Sequence, residues 1–230
     1  MIEKGLPSYQ PADQVPLPKG PSPADPLVAA RAFADTMATR RSVRAFSRAP
    51  VARELIEACV AAANTAPSGA NKQPWRFVAV SDPDIKREIR IGAEAEERRF
   101  YDERANEEWL ADLGLLGTSW EKPFLEDAPW LVVIFKIMRD DRPVRISDQV
   151  YYVNESVGIA AGLFITAVHH AGLATLTHTP SPMQFLTTIL GRPSYERPFL
   201  LLPVGYAAEG CTVPEIARKP LGEVLVFDRG

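Results

Sequence analysis

The chain has 230 residues, a net charge of −3, 46% hydrophobic and 24% charged content, which is the balance of an ordinary globular protein. That charge leaves no electrostatic footprint for nucleic acid, and no apolar run reaches the ~20 residues of a membrane span. Two cysteines, Cys59 and Cys211, exclude a disulfide framework and lead us to expect a reducing, cytoplasmic location. The three histidines form no His-x-x-x-His pair and there is no Cys-x-x-Cys, so no metal site is expected.

Residues 1–26 hold seven prolines and read as an extended arm whose sparse apolar residues, Leu6, Tyr9, Val15 and Leu17, lie on a surface. The remainder, 27–230, reads as one domain. A helix is expected over 26–39, and a second over 53–63 with Leu55, Ile56, Cys59 and Val60 inward. Asn64 to Gly69 breaks it, and 76–80 reads as a strand. Asp82-Pro83 is a capped helix start. The helix it opens is expected to run to about residue 112, rich in Glu and Arg, with a lid over about 92–123. Trp130 to Phe135 is a continuous apolar run, as in a strand buried on both faces. A long helix over 150–171 carries Gly158, Gly162 and several alanines, which would let another backbone approach closely, and Gly172 caps it. Short strands at 174–177 and 199–204 flank a helix near 182–190. An extended arm over about 208–230 closes the chain. An α+β domain with an arm at each end suits mutual embrace by two subunits.

Three groups of residues carry chemistry. Glu97 and Tyr101 lie four apart on one helix face, and Lys122 follows in a loop before Pro123. A carboxylate, a phenol and an ammonium together complement a free amino acid: the first takes its ammonium, the others its carboxylate. Taken alone, the pattern is better described as a solvated helix face plus an unrelated surface lysine, and the rest of the chain changes that balance. Arg40-Arg41-Ser42-Val43-Arg44 offers guanidinium forks and a hydroxyl suited to phosphate, with Arg218-Lys219 adding charge from the far end of the chain. Alone, Arg40-Arg41 is better described as a basic helix terminus. Ala66 to Trp75 packs a hydroxyl, a glycine, two amides and an indole into one loop that can read the polar edge of a planar ring, or serve as a decorated turn.

Together, Arg40 to Phe46, Ala66-Pro67-Ser68 through Phe77, and Leu200 to Gly205 resemble the nitroreductase-like flavoprotein superfamily. Glu97, Tyr101 and Lys122, Thr175 to Pro180, and the segments Leu202 to Tyr206, Thr212 to Pro214 and Arg218 to Leu221 resemble its iodotyrosine deiodinase group. The resemblance spans about 39–226. It implies an α+β homodimer with a central mixed sheet, domain-swapped arms and FMN at the subunit interface. Arg40, Arg41, Ser42, Arg44 and Arg218 would hold the phosphate and ribityl chain, and Ser68 would touch the ring edge. Thr177, His178 and Thr179 would lie along the flavin, with the Thr179 hydroxyl as the catalytic group near N5, favouring one-electron steps. Glu97, Tyr101 and Lys122 would clamp a halotyrosine, and the Ala70 amide would donate to its phenolate. The implied reaction is reductive removal of halide, fed by an electron donor or an NAD(P)H-linked reductase. No membrane anchor is expected before the domain. Two other classes remain open at this point: a general NAD(P)H-dependent nitroreductase or quinone reductase, and a non-catalytic flavin- or amino-acid-binding protein.

Overall fold

A computed structural model describes residues 12–228, and contact analysis divides the chain after Ala38. In the first part, residues 12–25 have no helix or strand, Val15 and Leu17 are exposed, and α1 (Pro26–Ala38) follows, one residue shorter than expected. Leu6 and Tyr9 fall outside the described residues.

The second part, Thr39 onward, is built on a four-stranded sheet of β1 (Trp75–Val80), β2 (Trp130–Ile137), β3 (Ala174–Thr175) and β4 (Glu196–Gly205), in the order β1-β2-β4-β3. The apolar run is the central strand β2, and its side chains alternate between two cores. Val132 and Ile134 join Ile56 and Cys59 of α2 (Arg53–Ala63) and Val157, Ala160 and Phe164 of α6 (Val153–His170). Leu131, Val133 and Phe135 face the other way, with Ile89 and Ala93 of α3 (Pro83–Arg99), Phe124 and Leu125 of α5 (Phe124–Asp127), and Leu186 of α7 (Gln184–Ile189). Burial on both faces is why the run carries no polar alternation.

The expected mixed sheet is instead antiparallel in every strand pair, with parallel character only at the isolated bridge Ser42–Thr175. The register gives the reason. β1 ends at Val80 opposite Leu131, where β2 begins, and β2 ends at Ile137 opposite Glu196, where β4 begins. The β1-to-β2 and β3-to-β4 connections turn back at the end they leave, whereas the α6 connection crosses from the Ile137 end to the Trp130 end; β3 therefore runs parallel to β2, and the antiparallel β4 lies between them.

The helix expected to reach residue 112 is broken. Asp82 caps α3 by accepting from the Asp84 and Ile85 amides. After Arg99 the chain widens into a π-helical turn, Phe100–Arg104, closed by Ala105 N–H donating to Phe100 O at 2.8 Å. Asn106 then caps a separate helix, α4 (Glu107–Leu115). The C-terminal arm has one helical turn, α8 (Leu221–Val224). Gly172, at φ +75, ends α6 as expected, since a side chain there would be strained.

Candidate functional site

The arginine segment follows the helix end as an extended strip pinned to the sheet edge. Val43 N–H donates to Thr175 O at 3.2 Å, Phe46 bridges Ala207, and both Val43 and Phe46 are buried. The C-terminal arm returns to it: Arg218 Nη2 donates to Arg40 O at 2.8 Å, and Arg41 Nη2 donates to Pro214 O. Between them lies a cavity of about 300 Å³ lined by Arg40, Arg41, Ser42, Arg44 and Arg218, together with apolar residues and no carboxylate. The lining offers four arginines and no carboxylate, and planar guanidinium forks suit phosphate.

Glu97, Tyr101 and Lys122 also converge. Lys122 Nζ lies 3.2 Å from Glu97 Oε2 and 6.0 Å from the Tyr101 ring centroid. The same ammonium donates to Thr118 Oγ1 at 3.2 Å and to Ser119 O, and Tyr101 Oη donates to Thr118 O at 3.2 Å. Lys122's backbone is anchored too, its N–H donating to Glu94 Oε1 at 2.7 Å. The Lys122 side chain is only 3% exposed, so burial pushes its pKa down while Glu97 opposes that shift. Burial, and then the Glu97 charge, raise the Tyr101 phenol. The carboxylate and ammonium are thus paired with each other, each holding the charge its partner in a zwitterion would hold. Glu97 shares a cavity of about 730 Å³ with Thr179, and Phe100, Trp109, Met183 and Phe199 supply its apolar wall. These four wall residues had no sequence signal beyond being apolar.

The threonine-rich segment does not present all three side chains alike. His178 pairs by backbone with Leu201, N–H to O at 2.9 Å and O from N–H at 3.0 Å, so its neighbours alternate. Thr177 and Thr179 are exposed, while His178 turns inward, edge-on to Phe124 at 5.8 Å. Its Nε2 is buried with no hydrogen-bond partner. Burial first, then the charges of Lys122 and Arg44, lower its pKa to about 3. The ring is therefore neutral in the fold but protonates near 6.5 when unfolded. Stability is fully present above pH 6.5 and is lost as pH falls toward about 3, because only the unfolded chain takes up the proton. We expect urea denaturation to show the parent losing up to about 1.4 kcal/mol per pH unit in that window relative to His178→Gln. Equal slopes would show that the ring is accessible to protons.

The loop before β1 sits elsewhere in the chain. Ser68 Oγ accepts from Gln73 N–H at 2.9 Å, so Ser68 braces its own loop and keeps its O–H proton to donate. Gly69 N–H donates to Ser156 Oγ at 3.4 Å, Asn71 N–H to Ser68 O at 3.0 Å, and Lys72 N–H to Gly69 O at 3.1 Å. Among the described residues, the Ala70 N–H has no acceptor, and neither does the Ser68 N–H. Gly69 is required by close approach: a Cβ there would lie 2.9 Å from Tyr151 O. Ala70, Asn71 and Gln73 have φ of 50, 53 and 49, left-handed values that cost non-glycine residues roughly 1–2 kcal/mol each.

The loop and the arginine cavity occupy diagonal corners of the sheet. The loop feeds the start of edge strand β1, at the level of Lys136. The arginine strip borders the other edge strand, β3, at the level of Val204 and hence Trp130. Six residues of rise and three strand spacings put these corners about 25 Å apart. Within one chain, the arginine cavity and the clamp form as two preassembled sites, and the loop is remote from the arginine cavity.

An α+β fold carrying an arginine-lined cavity and a charged and apolar pocket has the chemistry to suit a phosphorylated cofactor and a small zwitterion. The Nitroreductase family model matches residues 37–206. The iodotyrosine deiodinase of Haliscomenobacter hydrossis is 53% identical over 204 residues, covering 89% of this chain and 92% of that protein. Iodotyrosine deiodinase 1 of Rattus norvegicus is 44% identical over 198 residues, covering 84% and 68%. A crystal structure of oxidized iodotyrosine deiodinase bound to FMN and 3-iodo-L-tyrosine superposes with a TM-score of 0.73 at 30% identity, over 86% of this chain and 98% of that one. This chain belongs to the nitroreductase family and, within it, to the iodotyrosine deiodinases. Among the described residues no helix is long and apolar enough to cross a membrane, and no cluster of His, Cys, Asp and Glu could hold a metal ion.

Proposed function

We propose that this chain is an FMN-dependent reductive dehalogenase of halotyrosines, releasing halide and tyrosine. One observation carries the reading: Glu97, Tyr101 and Lys122 converge from separate segments into a charge pattern complementary to a zwitterion, and Glu97 shares its cavity with Thr179. The arginine cavity fits a flavin mononucleotide, because its arginine-rich, carboxylate-free lining suits the phosphate. Arg40, Arg41, Ser42, Arg44 and Arg218 would hold that end, and Ser68, Thr177, His178 and Thr179 the ring. When bound, FMN supplies the two electrons that, with a proton, replace the ring's carbon–halogen bond by carbon–hydrogen.

The chain's own residues bind and orient. Glu97 takes the substrate's α-ammonium, while Lys122 and Tyr101 take its α-carboxylate, so the zwitterion exchanges into the existing ion pair charge for charge. The Ala70 N–H donates to the phenolate, which an electron-withdrawing halogen favours. The Thr179 hydroxyl is the catalytic donor at the flavin edge. Residues 92–123 close as a lid: α4 buries none of its residues and Trp109 is 53% exposed, so little holds it open or shut.

The working unit is a homodimer with shared sites. A mononucleotide-sized cofactor does not span the roughly 25 Å between the arginine cavity and the Ser68–Ala70 loop of one chain, so the loop comes from the second copy. The unpartnered face of α6 suits that contact, since a Cβ at Gly158 or Gly162 would meet nothing within 4 Å and Ile159 and Leu163 are exposed between them. The proline-rich N-terminal arm and the C-terminal arm would exchange across the pair. The electron donor is NAD(P)H-linked, and free Cys59 and Cys211 suit the cytoplasm. The test is anaerobic: FMN-loaded protein is reduced and mixed with 3-iodotyrosine. Reoxidation of the flavin with stoichiometric iodide is expected. Reoxidation by nitroaromatics or quinones but not by 3-iodotyrosine would make the chain a general reductase, and binding without turnover would make it a carrier.

A further inference from the structure

The Ala70 N–H is presented by a backbone that its residues do not adopt unaided, and one buried carboxylate grips the two residues that follow it. Asp140 Oδ2 accepts from Lys72 Nζ at 2.8 Å and from Arg142 Nη2 at 2.7 Å, while Oδ1 accepts from Arg142 Nε at 2.8 Å. Arg142 Nη1 then donates to Asn71 O at 3.1 Å. Lys72 is thus held by its side chain and Asn71 by its carbonyl, with Asp140 between them. The Asp140 side chain is 1% exposed, and its own N–H is tied to Asp148 O at 2.8 Å, so the anchor is rigid. Hydrogen bonds from Arg142 and Lys72 hold its carboxyl well below the usual carboxylate range.

We infer that the Lys72–Asp140–Arg142 cluster is a positioning device for the Ala70 amide, and through it sets this chain's preference for the ionised ring oxygen of a halophenol. The inference rests on the halotyrosine reading, in which that amide meets the phenolate. An amide that turns or fluctuates loses a hydrogen bond to a charged acceptor, whose strength depends on alignment. That alignment favours phenolate over phenol, and it does not concern the amino-acid end of the ligand.

The experiment titrates oxidised, FMN-loaded protein with 3-iodotyrosine and with its O-methyl ether, which cannot ionise at the ring. Lys72→Gln and Asp140→Asn are expected to lose about tenfold in affinity for 3-iodotyrosine, the scale of one charge-assisted bond. Affinities for the ether and for FMN should stay within about twofold. Lys72→Arg, which keeps the ion pair, should behave as the parent. The rise of 3-iodotyrosine affinity with pH through ionisation of its phenol should flatten in the two disrupting variants. Hydrogen exchange of the 71–73 amides without substrate should accelerate in Lys72→Gln and recover in Lys72→Arg. Equal weakening of both ligands, or no change in either, overturns the inference. If Asp140→Asn does not fold, the Lys72 pair still decides. A parent that binds neither ligand overturns the halotyrosine reading and this inference with it. A parent that favours the ionised ring, with variants that favour it equally, overturns this inference alone.

Discussion

Glu97→Gln is expected to weaken binding of 3-iodotyrosine to the oxidised holoprotein by about ten- to a hundred-fold, since a charge-assisted hydrogen bond contributes roughly 1.5–3 kcal/mol. Lys122→Met should do the same from the carboxylate end. The two variants should nevertheless part company in stability. Glu97→Gln leaves a 3%-exposed ammonium without its counter-charge, 3.2 Å away in the parent. Removing one partner of a buried pair costs about 3–5 kcal/mol, and the lower figure applies because the Glu97 carboxylate retains 15% exposure. Lys122→Met removes the buried charge itself and replaces it with a flexible apolar chain of similar length, which is far better tolerated. We therefore expect a melting temperature several degrees lower for Glu97→Gln than for Lys122→Met, at similar loss of ligand. Iodophenol has no zwitterion, so its weak binding should barely change. If iodophenol weakens in step with 3-iodotyrosine, the pair is structural. If neither ligand notices either change, Glu97 and Lys122 form no part of the ligand site.

That contrast was available from sequence only in part. The residue types and the four-residue spacing of Glu97 and Tyr101 were legible, and so was a loop at Lys122, because a helical period and a proline are local signals. That the carboxylate and ammonium pair with each other was not, because it depends on how residues 116–123 fold back on α3. α2 runs over Arg53–Ala63 as its apolar period predicts, and β2 is the doubly buried strand its composition implies. By contrast, the π-turn at Phe100–Arg104 left no trace among good helix formers. Asn106 before Glu107-Glu108 was a readable cap for a new helix, and it was masked by the charged, periodic run around it. The mixed sheet was a reasonable expectation for strands separated by long helical segments, and only the register shows that β4 lies between the parallel β2 and β3, leaving every neighbouring pair antiparallel. The left-handed loop was half visible. Asn71 is a residue that tolerates such backbone, but Ala70 and Gln73 are not, and the Asp140 and Arg142 that grip Lys72 and Asn71 lie some seventy positions away. Terminal cations meeting in space, Arg40-Arg41 with Arg218, could be suspected from charge and fixed only by the fold.

The meeting of those arginines leads to the second large effect. Arg40→Gln combined with Arg41→Gln is expected to lower FMN affinity by about a hundred- to ten-thousand-fold. Each lost guanidinium removes a charge-assisted contact of roughly 1.5–3 kcal/mol, and neighbours sharing one phosphate need not add fully. Arg41 also donates to Pro214 O, so the variant loosens the C-terminal arm as well as the anion. Riboflavin separates the two roles because it carries the ring and ribityl chain without the phosphate. Its affinity for apoprotein should stay within about threefold of the parent value if the arginines serve the phosphate. It should fall alongside FMN if they serve the arm. Salt gives an independent reading: raising ionic strength should weaken FMN in the parent and hardly touch riboflavin. Arg41→Lys should fall between parent and glutamine, since an ammonium keeps the charge and loses the planar fork. A double variant that retains FMN at parental affinity would remove the cavity from the cofactor site.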